Sequence, residues 1–94
     1  MDINTIKKID AVEGLKEDLS IQLIELKIMK TKSTQKAEMI KENIAKVKPD
    51  DKYKLNEFLQ KITEKKYFAE KSIIATENNI EFYNNRLNEF LKNN

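Results

Sequence analysis

The sequence predicts an all-α fold, a long antiparallel helical hairpin of the coiled-coil type. Three observations lead to this prediction. The 94 residues include one Gly and one Pro, so the chain lacks the turn residues that a multi-stranded sheet requires. The Pro, Pro49, lies close to the middle of the chain. Apolar residues on both sides of it recur at spacings of three and four, as on one face of a helix. We therefore expect one domain over residues 1–94.

The first helix is predicted over about residues 3–47. We call the row of residues that packs against the second helix the seam. Its predicted members in this helix are Val12, Leu15, Leu19, Leu23, Leu26, Ser33, Ala37, Ile40, Ile44 and Val47. Two alternatives stay open. A break near Ser33 would let the chain fold back as a monomeric bundle of three or four helices, and a capping box at Asp10–Glu13 would make residues 3–9 a separate first turn.

A sharp turn is predicted over residues 48–51, because Pro cannot continue a helix and Asp is a good cap for the next one. The second helix then covers about residues 52–91. Its seam follows a seven-residue repeat, which is typical of coiled coils. The repeat consists of Leu59, Lys66, Ile73, Ile80 and Leu87 together with Leu55, Ile62, Ala69, Thr76, Tyr83 and Phe90.

The register of the hairpin follows from the polar residues of the two seams. Antiparallel pairing joins residues whose numbers have a constant sum, and a sum of 99 sets Ala37 opposite Ile62. The same sum sets Ser33 opposite Lys66 and Lys30 opposite Ala69. Each polar interruption of one seam thus meets an interruption of the other, as a shared interface requires.

Both helices have more apolar residues than one seam can bury. The first helix has a second row, Ile3, Ile6, Ile21, Ile24, Ile28 and Met39, and the second helix has Tyr53, Tyr67, Phe68, Ile74, Ala75 and Phe82. A soluble monomer rarely exposes a patch of this size. We expect a second copy to cover it in a four-helix bundle, or else an unidentified protein. The predicted interface residues are Ile21, Ile24, Ile28, Met39, Tyr67, Phe68 and Phe82.

The charge of the chain is unevenly distributed along the sequence. The net charge is +2, but residues 1–26 have three Lys against six acidic residues and residues 27–48 have seven Lys against two. In a hairpin the turn half is therefore basic. Antiparallel association would place each basic half against the acidic half of its mate. Alternatively, the turn half contacts an acidic protein or a nucleic acid through Lys41, Lys46, Lys48, Lys52 and Lys54.

The composition argues against several classes of function. Without His and Cys the chain has no disulfide, none of the commonest zinc and haem ligands, and no base for a catalytic triad. We expect no enzyme activity, no metal and no cofactor. The longest apolar runs are also too short for a signal peptide or a membrane span, so we expect a cytoplasmic protein.

The predicted architecture resembles that of small helical-hairpin dimers. These include RNA-binding plasmid copy-number regulators, secretion chaperones and phage-encoded inhibitors, and the resemblance identifies no site residue. The resulting prediction is a non-enzymatic homodimer that binds and modulates another protein, as a phage- or plasmid-encoded regulator does. The second hypothesis is an RNA- or DNA-binding hairpin dimer that acts through its basic turn half. The third is a structural coiled-coil spacer.

Overall fold

The first helix, α1, spans Ile3–Asn43 in the computed structural model, which describes residues 1–92. It begins after Asp2, whose Oδ1 accepts a hydrogen bond of 2.7 Å from the backbone N–H of Thr5. This bond satisfies one of the N–H groups that have no partner at a helix start. It also lowers the pKa of the Asp2 carboxyl below its ordinary value of 3.8.

Helix α1 is uninterrupted, which decides between the alternatives for the first half of the chain. It passes through Asp10 without a new start, so residues 3–9 are not a separate turn. It also passes through Ser33 without a break, so a monomeric bundle of three or four helices does not form. Both of those alternatives are wrong.

Helix α1 ends earlier than the predicted position near Val47. One turn of 3₁₀ helix, Ile44–Lys46, follows α1, and Val47 is extended with φ −98° and ψ 163°. The residue before a Pro avoids helical conformations, so the chain must leave the helix before Lys48. The Asn43 side chain donates a hydrogen bond of 2.7 Å to the carbonyl of Met39, one of the last carbonyls of the helix.

The second helix, α2, spans Pro49–Lys92 and begins three residues before the predicted position 52. Pro49 is its first residue, where the missing N–H of a Pro breaks no helical hydrogen bond. The backbone N–H groups of Asp51 and Lys52 both donate to the Lys48 carbonyl over 3.0 Å. Asp50 and Asp51 therefore lie in the first helical turn of α2, where their negative charge interacts favourably with the helix dipole. They are not part of a connecting turn, as the sequence had predicted. The prediction of an all-α helical hairpin is confirmed.

The packing divides the chain into two compact units. The turn unit is Leu26–Ser72, and the terminal unit is Met1–Glu25 together with Ile73–Asn94, described as far as Lys92. The buried residues of the turn unit are Leu26, Ser33, Ala37, Ile62 and Ala69, and those of the terminal unit are Val12 and Thr76. All seven belong to the predicted seams. Ala69 is wholly inaccessible, with 0% of its surface exposed.

An ion pair supports the predicted register within the turn unit. The Lys30 Nζ lies 4.0 Å from the Glu70 Oε1, and both side chains are partly exposed. The register sets Lys30 opposite Ala69, the residue next to Glu70. The pair therefore lies within one residue of the predicted alignment.

One seam residue is predicted incorrectly. Leu15 is exposed over 45% of its surface, and its neighbour Lys16 is half-buried in its place. Steps of three and four permit either residue after Val12. The seven-residue repeat decides between them, because Ile9, Lys16 and Leu23 are all half-buried at intervals of seven.

Replacing Gly14 with Ala is expected to stabilise the protein. Gly14 lies inside α1, its φ is not positive, and a Cβ added there would meet no atom within 4 Å. The gain in helix propensity is about 0.5–1 kcal/mol. Thermal unfolding followed by circular dichroism should show a melting temperature about 2–8 °C higher. A lower melting temperature would contradict this, because it would mean that the space beside Gly14 is occupied in solution.

Candidate protein-interaction surface

The seam defines two sides in each unit. In α1 the seam positions run from Thr5 to Ile40 and are separated alternately by four and three residues. In α2 they run from Lys52 to Phe90 and are separated alternately by three and four residues. Each of them except Lys30 is buried or half-buried. In an antiparallel hairpin, the residues that immediately precede seam positions in both helices lie on one side. Those that immediately follow seam positions lie on the other side.

The turn unit has a strongly basic side that also exposes apolar residues. Five lysines precede seam positions there, against one acidic residue, Asp51. The same side includes Met29, Met39, Phe58 and Phe68, of which Phe68 is 61% exposed. We call this side the lysine face, and its lysines are Lys32, Lys36, Lys54, Lys61 and Lys65. Charge and apolar surface therefore occur together on it.

The terminal unit has an acidic side of the opposite character. Five carboxylates follow seam positions there, and no Lys or Arg does. They are Asp10, Glu13, Glu17, Glu77 and Glu81. Four exposed aliphatic residues occupy the same side: Ile6, Ile24, Ile74 and Leu91. We call this side the carboxylate face.

The charges of these two faces have no partner within the described chain. Among residues 1–92, only Lys30–Glu70 and Arg86–Glu89 approach within 4.0 Å as ion pairs. Neither pair includes a charged residue of the lysine face or of the carboxylate face. Both sets of charges are thus available to another molecule.

The seven predicted interface residues are all exposed, but the structure does not place them on one surface. They are Ile21, Ile24, Ile28, Met39, Tyr67, Phe68 and Phe82. The lysine face includes Met39 and Phe68, and the carboxylate face includes Ile24. The remaining four lie outside both faces.

The five lysines predicted to contact an anionic partner are also dispersed. They are Lys41, Lys46, Lys48, Lys52 and Lys54. Lys54 belongs to the lysine face, whereas Lys52 is half-buried in the seam and Lys41 follows a seam residue on the opposite side. Lys41, Lys52 and Lys54 therefore do not lie on one side of the hairpin.

Phe58 and four of the five lysines of the lysine face are absent from the residues predicted from the sequence. Charge summed along the sequence does not distinguish the two sides of the hairpin. The signal was present, because Phe58 immediately precedes Leu59 and Lys61 immediately precedes Ile62. Once the seam is known, those positions identify the side.

Residues 1–92 contain neither a membrane-spanning stretch nor a metal-binding cluster. Neither α1 nor α2 contains a stretch that is both long and apolar enough to cross a lipid bilayer. No group of three acidic side chains in that part of the chain is arranged to hold a metal ion.

Comparison with known proteins gives no relative from which a function could be transferred. No protein-family model, no curated protein and no solved structure matches the chain.

Proposed function

We propose that this protein is a non-enzymatic cytoplasmic interaction module that forms a homodimer, a four-helix bundle, and binds and modulates another protein. One observation carries the proposal. In residues 1–92, fifteen large hydrophobic side chains are exposed, whereas five hydrophobic residues are buried. Exposed apolar surface on this scale marks protein-interaction sites. The proposal that the protein is not an enzyme rests on its composition, since the sequence has neither His nor Cys.

The accessible surface supports self-association. It measures 7380 Å², whereas a folded monomer of 11.1 kDa typically exposes about 5,700 Å². The surplus is about 1,700 Å² for each chain, and a typical stable interface removes about 800 Å² from each partner. The chain thus has enough surplus surface for a dimer interface and for contact with a different protein.

Thermal unfolding at different protein concentrations tests the self-association. A folded dimer is stabilised by mass action, so its melting temperature rises with protein concentration. We expect circular dichroism at 222 nm, the ordinary helical band, to show that rise over micromolar concentrations. A melting temperature that stays constant over this range would contradict the homodimer.

The charge of the turn unit favours a second candidate function, binding of RNA or DNA. Residues 26–72 contain thirteen Lys against seven acidic residues, a net charge of +6. Binding to phosphates weakens steeply with salt, whereas binding through apolar surface does not. Fluorescence anisotropy with labelled RNA and DNA oligonucleotides at low and high salt separates the two functions. Salt-sensitive binding of an oligonucleotide would favour the second.

A further inference from the structure

We infer that the lysine face of the turn unit is a binding site for single-stranded RNA or DNA. The inference rests on the second candidate function, binding of nucleic acid, and specifies both the site and the form of the ligand. It involves residues of the turn unit alone.

Lysines and aromatic rings alternate along the α2 part of the lysine face. In chain order they are Lys54, Phe58, Lys61, Lys65 and Phe68, and each immediately precedes a seam position. They follow one another at intervals of four and three residues, so they form one stripe about 21 Å long. The rings of Phe58 and Phe68 are 53% and 61% exposed. The stripe therefore presents positive charge and flat apolar rings in turn.

Helix α1 adds two further lysines to the same side. The predicted register sets Lys36 opposite Thr63, which lies between two lysines of the stripe. It also sets Lys32 opposite Tyr67, the residue next to Phe68. Positive charge thus borders the stripe on the α1 side as well.

The lysines and rings of this face have no partner within the described chain. In residues 1–92 none of the five lysines forms an ion pair. Phe58 and Phe68 contact neither another ring nor a cation in that part of the chain. The single acidic residue of the face, Asp51, lies in the first turn of α2. Both the charges and the rings are therefore available to a ligand.

A single strand of nucleic acid offers a partner to each kind of group. Its phosphates bind lysines and its unstacked bases stack on aromatic rings, a combination that is typical of proteins that bind single strands. A duplex offers the same phosphates, but its bases are already stacked on one another and would leave the rings in water. An acidic polypeptide matches the lysines but has no repeated ring to pair with Phe58 and Phe68. The alternation of charge and ring therefore favours a single strand.

Fluorescence anisotropy with the intact chain tests the inference. The labelled probes are oligothymidylate and oligouridylate of about 12 nucleotides, a DNA duplex of the same length, and polyglutamate. At about 0.15 M salt we expect at least one single strand to bind about 10-fold or more tightly than the duplex. Polyglutamate should bind most weakly. The comparison of the two strands identifies DNA or RNA as the preferred source of the ligand.

The variant Phe58→Ala removes one ring from the stripe. Phe58 is exposed and lies outside the predicted dimer interface, whereas Phe68 is predicted in that interface and is left unchanged. We expect the dissociation constant for the single strand to rise about 5- to 100-fold, with no change for the duplex. The matched control is Tyr53→Ala, because the Tyr53 ring is 71% exposed but follows a seam position on the other side. This control should bind both probes as the original protein does.

The variant that combines Lys61→Gln with Lys65→Gln removes two charges from the stripe. For a single strand, each phosphate contact contributes about 0.7 to the slope of log binding constant against log salt concentration. We therefore expect a slope that is shallower by about 1.4. The matched control combines Lys27→Gln with Lys71→Gln, two exposed lysines of the turn unit that do not precede seam positions. It loses the same charge but should keep the original slope. Circular dichroism of every variant checks that the helices still form.

The outcomes separate the inference from the function on which it rests. If no oligonucleotide binds at any salt concentration, both the binding of nucleic acid and the proposed site are wrong. If the duplex binds as tightly as the single strands and Phe58→Ala weakens neither, nucleic acid binds by charge alone. That result would overturn the inference but leave the second candidate function standing. Polyglutamate that binds as tightly as the single strands would also overturn the inference, because the face would then fit an acidic protein.

Discussion

Replacing Ala69 with Lys is expected to lower the free energy of unfolding substantially. Ala69 is fully buried in the seam of the turn unit, and the nearby Lys30 already interacts with Glu70. A Lys at this position must displace the neighbouring helix or bury an unpaired ammonium close to a like charge. The expected destabilisation is about 3–5 kcal/mol, a large share of the roughly 5–15 kcal/mol that stabilises a typical domain.

The control for this substitution is Ala75→Lys. Ala75 lies on the same helix but is exposed, and Lys and Ala have similar helix propensities. Chemical denaturation followed by circular dichroism should give a midpoint close to that of the original protein for Ala75→Lys and a much lower one for Ala69→Lys. Equal midpoints for the two variants would show that Ala69 is not at a packed position in solution.

Replacing Phe68 with Asp is expected to dissociate the dimer without unfolding the helices. Phe68 is 61% exposed on the lysine face, so the substitution replaces a large apolar side chain of the proposed interface with a charged one. Central aromatic residues of an interface commonly contribute about 2 kcal/mol or more. We expect the sedimentation coefficient to fall to that of a monomer while the helical signal of the folded chain remains.

The adjacent residue provides the control for Phe68. Tyr67 is similarly exposed, at 57%, but it follows a seam position and so lies on the other side of the hairpin. Its ring already contacts the Lys71 ammonium at 4.9 Å within the chain. Tyr67→Asp should therefore leave the dimer intact. If Tyr67→Asp dissociates the dimer and Phe68→Asp does not, the interface lies on the opposite side of the turn unit.

The seam could be predicted because a seven-residue repeat determines burial almost alone. The repeat in α2 identified Ile62, Ala69 and Thr76, and all three are buried. Leu15 was placed incorrectly because steps of three and four are locally ambiguous, and only the longer repeat through Ile9 resolves them. The helix boundary at Pro49 was misplaced because Pro at the first helical position resembles a turn in sequence.

The interaction faces were not predicted, although the predicted seam contains the information that identifies them. Summing charge along the chain reveals a basic half, but it does not show that Phe58 and Lys61 lie on the same side as Met39. That grouping depends on which residues occupy the seam and on both helices together. The exposed apolar rows were also treated as one surface, whereas Phe68 precedes a seam position and Tyr67 follows one, so the two residues belong to different sides of the hairpin.

The most direct test of the homodimer is the molecular mass of the protein in solution, measured by sedimentation equilibrium at micromolar concentrations. We expect a mass twice that of the 11.1 kDa chain. A mass of 11.1 kDa at every concentration would contradict self-association, and with it the proposed four-helix bundle.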